Sequence, residues 1–396
     1  MPPEQPPAHF IPFSARHPVA LRQRIETYLA HGQTTGETSS HLHDLAYTLG
    51  SRRSHLECRA AFAATSVDSL HQQLRQYLSE SEAPEQVSAY HPTRRLAFVF
   101  SGMGPQWWGM GRELLDCQPV FRERLEAFDT RWHPLAGWSL LEEMRAPEGI
   151  SRIGTDTQVS MAANIALQIA LAALWRHWGI VPDMIVGHSV GEVAAAHVAG
   201  GINLDQVVEL THARLQCVEW VQGQGTMAAV GLPQAELLPF LEAYADRVTI
   251  AAINSPQSLT IAGDSEAILE LAETLKQTGC FCRVLNVDVP FHGLPLRRRH
   301  AEFTRIYPEI TPSEPTIPYV SSVTGRALDI PLDKTYWLRN FEQTVHFSEA
   351  VSCLIDDGCT TFLELGPHPV LKYSITECLR ARGMVHHGSL RRFLRI

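Results

Sequence analysis

The 396-residue chain is short of several things at once. No uninterrupted apolar run reaches the ~18 residues needed to cross a bilayer. Residues 1–7 hold neither a basic stretch nor an apolar one, so no signal peptide is expected and the cytoplasm is the default compartment. Cysteine is scarce: there are eight, and only Cys280 and Cys282 stand close together. Flanking Phe281 in a strand-like run, they are expected to be packed thiols rather than a redox or metal pair. The 19 histidines fall in no ligand-like spacing, so no metal site is expected. Charged residues make up only 19%, and the net charge of −9 is spread along the chain with signs interspersed. No basic stripe exists to meet nucleic acid or an anionic membrane.

Against these lacks, 45% of the residues are apolar. A chain this long and this apolar is expected to fold into two or three domains. Residues 1–92 read as a small unit: a strand at 10–13, then helical stripes at Leu21, Ile25, Tyr28 and Leu29 and at Leu42, Leu45, Ala46 and Leu49, stopped by Gly50. A strand over 60–64 and a third helix carrying Leu70, Leu74, Tyr77 and Leu78 complete it, and the polar stretch 79–95 reads as a linker. From 93 to 225, strands at 96–100 and 184–186 alternate with glycine turns and a long helix at 162–178. This is the pattern of a parallel α/β sheet with its site at the strands' C-terminal ends. Residues 226–289 change rhythm to strand 226–232, helix 233–246, strands 248–254 and 258–263, helix 266–276 and strand 282–289. That β-α-β-β-α-β order predicts an inserted ferredoxin-like subdomain. The large domain resumes at 290–387, with a strand at 361–365.

The chemistry concentrates in a few places. Gly187-His188-Ser189-Val190-Gly191 lies between a strand and an alanine-rich helix, the setting of a nucleophile elbow. Small flanking residues let the chain turn sharply and leave the Ser189 hydroxyl exposed at a helix N-terminus; the plainer reading is a structural turn. A serine needs a base. His292, just past the inserted subdomain, is the candidate, although by spacing alone it reads equally as a surface histidine. Asn203 and Gln206 form a capping box, and Arg214 falls on the apolar stripe of the helix they start. An inward guanidinium requires an anion, either a structural salt bridge or a substrate carboxylate held two-pronged. The turn Gly102-Met103-Gly104 can set the Met103 amide beside that of Val190 as an oxyanion hole.

Taken together, these segments resemble the acyltransferase domains of type I polyketide synthases and animal-type fatty acid synthases, and the free-standing malonyl-CoA:carrier-protein transacylases. The segments are FSGMGPQW from Phe100, GHSVGE from Gly187, Arg214 at 25 residues beyond the serine, Val289-Pro290-Phe291-His292, YWLRN from Tyr336 to Asn340, and ELGPHPVL from Glu364. The resemblance implies an α/β fold: a large α/β-hydrolase-like parallel-sheet subdomain with the inserted ferredoxin-like one, preceded by a small α/β linker domain that joins a ketosynthase to the acyltransferase. Gly388 to Arg392 resembles the start of a further linker, assigned to 388–396. The resemblance also implies an acyl-Ser189 enzyme with His292 as its base, Arg214 on a substrate carboxylate and Asn340 orienting His292. No permanently bound cofactor is implied. The partners are a CoA thioester, an acyl carrier protein whose phosphopantetheine thiol accepts the acyl group, and the neighbouring ketosynthase.

The resemblance further implies that Phe291 and Val190 favour malonyl over methylmalonyl, with Val289, Pro290, Gln106 and His188 joining Phe291 as expected selectivity positions. Val289-Pro290 where His-Ala is usual, Gly293 where Ser is common, and Met161-Ala162 where Gln-Pro is frequent leave an unusual extender unit open. Two rivals stand beside this reading. One is a serine hydrolase or thioesterase, for which Asp288 lies near His292 in sequence but, two strand residues from Pro290, is not expected to reach the ring; the other is a non-catalytic docking or scaffold module.

Overall fold

The computed structural model describes residues 8–32, 39–80 and 95–384. Of the linker expected at 79–95, residues 81–94 lie outside them, as does the stretch 388–396; Ser79 and Glu80 belong to the helix Val67–Glu80 and Arg95 to a strand. The chain divides into two compact units, residues 1–93 and 94–396.

In the first unit, strands β1 (His9–Ala15) and β2 (Cys58–Ala64) pair antiparallel, with His9 opposite Ala64 and Ala15 opposite Cys58. Alternate residues of β2 are buried, as expected of a strand with one face on a core. That core gathers Ile11, Phe13, Leu21, Ile25, Leu42, Phe62, Leu70 and Leu74 from both strands and the helices Pro18–Gly32, Ser39–Ser51 and Val67–Glu80. Gly50 lies inside the second helix rather than ending it.

The second unit opens with β3 (Arg95–Phe100), whose last four residues are all buried. β4 (Met184–Gly187) is buried throughout. Continuous apolar runs of this kind mark parallel strands covered on both faces. Between them runs the helix Thr157–His177, capped by the Asp156 carboxylate, which accepts from the Gln158 and Val159 amides at 2.8 and 3.1 Å. Its apolar core window is long enough to cross a bilayer, but 83% of it is buried inside the protein. It is a core helix.

The inserted sheet follows with β5 (Thr226–Val230), β6 (Val248–Ser255), β7 (Ser258–Gly263) and β8 (Cys282–Val284) in the order β6-β7-β5-β8, all antiparallel. With the helices Gln234–Leu241 and Ser265–Gln277 on one face, this is the ferredoxin-like arrangement. The last strand stops at Val284, short of 289. Beyond it the chain is held by separate bonds: the Leu285 amide to the Met227 carbonyl (2.8 Å), the Thr226 hydroxyl to the Val287 carbonyl (2.8 Å), the Gly223 amide to the Asp288 carbonyl (2.7 Å) and Gln222 Nε2 to the Asp288 carboxylate (2.8 Å). Past the strand the chain runs on through Val289 to His292, with Pro290 close against Gly225.

β9 (Tyr319–Ser321), β10 (Arg326–Ala327) and β11 (Cys359–Leu365) complete a five-stranded sheet ordered β10-β9-β4-β3-β11, parallel except for the edge strand β10. β3 and β4 are central, and the candidate site residues cluster at their C-terminal ends.

Candidate active site

Ser189 sits between β4 and the helix Gly191–Ala199 with φ +54°, a left-handed conformation rare for a side-chain-bearing residue. The flanking glycines show why the chain tolerates it. A Cβ on Gly187 would lie 2.4 Å from the Glu192 backbone, and one on Gly191 would lie 2.3 Å from the Phe100 carbonyl oxygen. Both positions must be glycine for the elbow to lie against β3.

The serine hydroxyl and His292 Nε2 are 2.6 Å apart. His292 is itself at φ +59°, in the turn where the Gly293 amide donates to the Pro290 carbonyl. Its Nδ1 lies 2.8 Å from the Gln343 carbonyl. A carbonyl only accepts, so Nδ1 carries the proton and Nε2 presents a lone pair to the serine. Arg297 clamps the same region, reaching the Glu342 and His292 carbonyls at 3.1 and 3.4 Å. Burial, then the nearby Arg214 charge and His188, holds the ring's pKa down at about 3. The resting ring is neutral, the state a general base requires.

Asn340, expected to orient His292, does something else. Its Oδ1 accepts from Arg214 Nη1 at 2.7 Å, and its Nδ2 donates to Glu192 Oε2 at 3.0 Å and the Ser189 carbonyl at 3.2 Å. The orienting group is a backbone carbonyl three residues on. Asp288, not expected to reach the ring, is exposed and accepts from Gln222 Nε2 at 2.8 Å, and among the described residues no carboxylate bonds to His292.

The capping box is formed in both directions, at 2.9 Å each, and Val207, Leu210 and Thr211 are fully buried on the stripe below it. Arg214 shares that stripe at 1% exposure. Its guanidinium lies 4.8 Å over the Phe341 ring; no carboxylate pairs with it among the described residues, and its Nε is buried without a partner. Burial pushes its pKa below the usual arginine range, with Tyr307 the first influence opposing.

The Gly102–Met103 turn lies against the elbow: a Cβ on Gly102 would meet His188 Nδ1 at 2.9 Å and Ser189 Cβ at 3.7 Å. The amides of Met103 and Val190 have no acceptor among the described residues. Two residues overlooked in the sequence fix this turn. Asn164 Nδ2 donates to the Gly102 carbonyl at 3.2 Å, and Gln168 Nε2 to the Ser101 carbonyl at 2.7 Å. Both are fully buried, and their signal was a polar pair four apart on an otherwise apolar helix.

The expected selectivity positions divide. Val289, Pro290 and Phe291 are buried in the histidine's own turn. Gln106 folds back on its loop, its Oε1 accepting from the Gly104 amide at 2.8 Å. His188 Nε2 donates to Asn254 Oδ1 at 2.8 Å, because the Asn254 amide nitrogen is engaged with Thr260 at 3.0 Å. Gln106 and His188 therefore brace the loop and the inserted sheet. Glu192 was missed altogether: fully buried, it accepts from the Ser322 amide and hydroxyl, from Tyr336 at 2.5 Å and from Asn340. Among the described residues no group of three or more candidate ligands gathers for a metal.

A strained serine thus meets a tautomer-locked imidazole beside two amides that have no acceptor among the described residues, next to a buried cation with no carboxylate partner among them. The chain belongs to the acyl transferase domain family, whose model matches residues 97–392, and residues 12–81 match the RhiE-like, KS-MAT linker domain. It is 36% identical to polyketide synthase GfsB of Streptomyces halstedii over 96% of this chain and 7% of that protein. To highly-reducing polyketide synthase 1 of Aureobasidium melanogenum it is 37% identical, over 98% of this chain and 18% of that protein. The chain thus spans under a fifth of the length of either relative. Among solved structures, the acyltransferase domain from module 8 of the salinomycin polyketide synthase superposes with a TM-score of 0.84 at 31% identity, covering 95% of this chain and 89% of that one.

Proposed function

We propose that this domain moves a malonyl group from CoA to the phosphopantetheine thiol of an acyl carrier protein, through an ester on Ser189, beside the ketosynthase of the same polyketide synthase. The observation that carries the reading is the 2.6 Å Ser189–His292 contact with the imidazole proton held on Nδ1 by the Gln343 carbonyl.

His292 Nε2 takes the hydroxyl proton as Ser189 Oγ attacks the thioester carbonyl, and the Met103 and Val190 amides hold the oxyanion. Collapse expels the CoA thiolate, which takes the proton back from the imidazolium. In the second half the carrier thiol gives its proton to His292, the thiolate attacks the ester, and Ser189 leaves with that proton. The free carboxylate of malonyl supports the role of Arg214, whose buried charge has no anionic partner among the described residues. Phe291, buried beside His292, crowds an α-methyl branch.

Incubation with a panel of acyl-CoAs and intact-mass measurement tests this. The wild type is expected to gain one malonyl adduct and Ser189→Ala none, with the fold retained. An adduct that persists in Ser189→Ala places the nucleophile elsewhere.

A further inference from the structure

Arg214 and Glu192 are opposite charges buried in one network, yet they do not meet. Asn340 stands between them, accepting from Arg214 Nη1 at 2.7 Å and donating to Glu192 Oε2 at 3.0 Å and the Ser189 carbonyl at 3.2 Å. The three bonds fix the amide's orientation. Reversed, its nitrogen would face guanidinium donors and its oxygen would face a carboxylate and a carbonyl. Glu192 already accepts from Ser322 and Tyr336, so its charge is satisfied without the arginine. Arg214 receives the Asn340 amide oxygen and the Phe341 face, with the Tyr307 hydroxyl beside it, all uncharged, and keeps Nε without a partner among the described residues. In a buried setting a direct ion pair would hold the guanidinium strongly, and the acyl group's carboxylate would have to displace it.

We propose that Asn340 is a specificity-determining positioning residue, a neutral spacer that keeps Arg214 from closing an ion pair with Glu192 and so leaves its charge to the carboxylate of the acyl group. This rests on the reading of Arg214 as the carboxylate's partner. Loss of the spacer lets the arginine turn to Glu192, and the preference for a dicarboxylic acyl group falls. A residue that merely supports the fold would instead lower the rates for all acyl groups alike.

The test is the ratio of kcat/KM for malonyl-CoA and acetyl-CoA, read as Ser189 acylation, in Asn340→Ala, Asn340→Asp, Asn340→Ala/Glu192→Gln and Arg214→Met. The ratio is expected to fall about tenfold or more in Asn340→Ala, the worth of one charge-assisted bond. It should recover most of that loss when Glu192→Gln removes the competing anion. Asn340→Asp, close to isosteric, also sets an oxygen against Glu192, so its ratio is followed from pH 6 to pH 9: it is expected to stay near wild type while the two carboxylates share a proton and to fall once that proton is lost and an anion meets the guanidinium; it decides the matter where Asn340→Ala fails to fold. A ratio unchanged in both Asn340 variants, or a loss that Glu192→Gln does not recover, overturns the spacer while Arg214→Met still lowers the ratio. Equal losses for both substrates in Arg214→Met overturn the carboxylate reading, and the spacer with it.

Discussion

Arg214→Met removes one charge from the site and little volume. The methionine keeps an unbranched chain over Phe341, where the guanidinium now lies at 4.8 Å. Two consequences separate by magnitude. The lost charge-assisted contact to a substrate carboxylate is worth about 1.5–3 kcal/mol, or roughly 10- to 10²-fold in kcat/KM for malonyl-CoA. The stranded Asn340 Oδ1 costs about 1–3 kcal/mol of stability, which acts on the fold and so on every substrate alike. The informative quantity is therefore the malonyl:acetyl ratio from single-turnover acylation, with the melting temperature measured in parallel. Acetyl-CoA is expected to hold or gain as the pocket turns apolar. Arg214→Lys is expected to recover only part, since a point charge cannot reproduce a two-pronged contact. Loss of malonyl and acetyl transfer by the same factor would refute the reasoning and return Arg214 to a structural role.

His292→Ala is expected to slow both acylation and transfer about 10²–10⁴-fold; near-normal rates in stopped-flow measurement remove it from the mechanism. Because burial and Arg214 depress His292 to about 3, the base stays neutral well below its ordinary range, so kcat/KM for acetyl-CoA is expected to show no acid limb between pH 8 and 5. A limb near 6.5 contradicts this. The same depression means that folding holds off a proton the unfolded chain accepts, so the group's contribution to stability is present above 6.5 and fades as pH falls toward 3. Glu364 behaves oppositely. Burial lifts it to about 7 while Oε1 accepts from the Val370 and Leu371 amides at 2.8 and 3.0 Å and Oε2 lies buried without a partner. The folded form favours the proton, so its stability is full below the unfolded value and is lost as pH rises through 7. Glu364→Gln, uncharged with its acceptor intact, is expected to gain about 1–3 kcal/mol over wild type between pH 5 and pH 8; parallel denaturation midpoints at the two pH values sink that account.

The elbow was legible because its demand is steric and local: a turn so tight that a Cβ at 187 or 191 would fall within 2.4 Å of backbone atoms admits only glycine there, and the letters say so. The capping box and the Arg214 stripe were legible for the same reason, each lying within three turns of one helix. What holds His292 was not. The Gln343 carbonyl is a backbone atom with no residue signature, and a nearby amide side chain, Asn340, was credited with its work. Glu192 and its partners Ser322 and Tyr336 are 130 and 144 residues apart in sequence, so only the folded chain reveals that they are one network. The length of β8 escaped as well: past Val284 the ladder gives way to separate bonds with Met227, Thr226 and Gly223, and nothing in the letters from 285 to 289 marks that change.

Val345 is joined to the edge strand β6 by a parallel bridge at Ala252, with Ile253 and Val345 amides donating to the Val345 and Ala251 carbonyls at 2.8 and 2.9 Å and the Thr344 hydroxyl reaching the Ile250 carbonyl at 2.8 Å. The residue just before this splice is Gln343, whose carbonyl steers the imidazole. The inserted sheet and the return segment thus behave as one cradle assembled from two distant stretches of chain. An engineer exchanging residues 226–289 between synthases would transplant one side of that cradle and leave the other behind, and the graft would misalign the base without touching the serine. A seam that carries residues 343–346 along with the insert keeps the two sides matched.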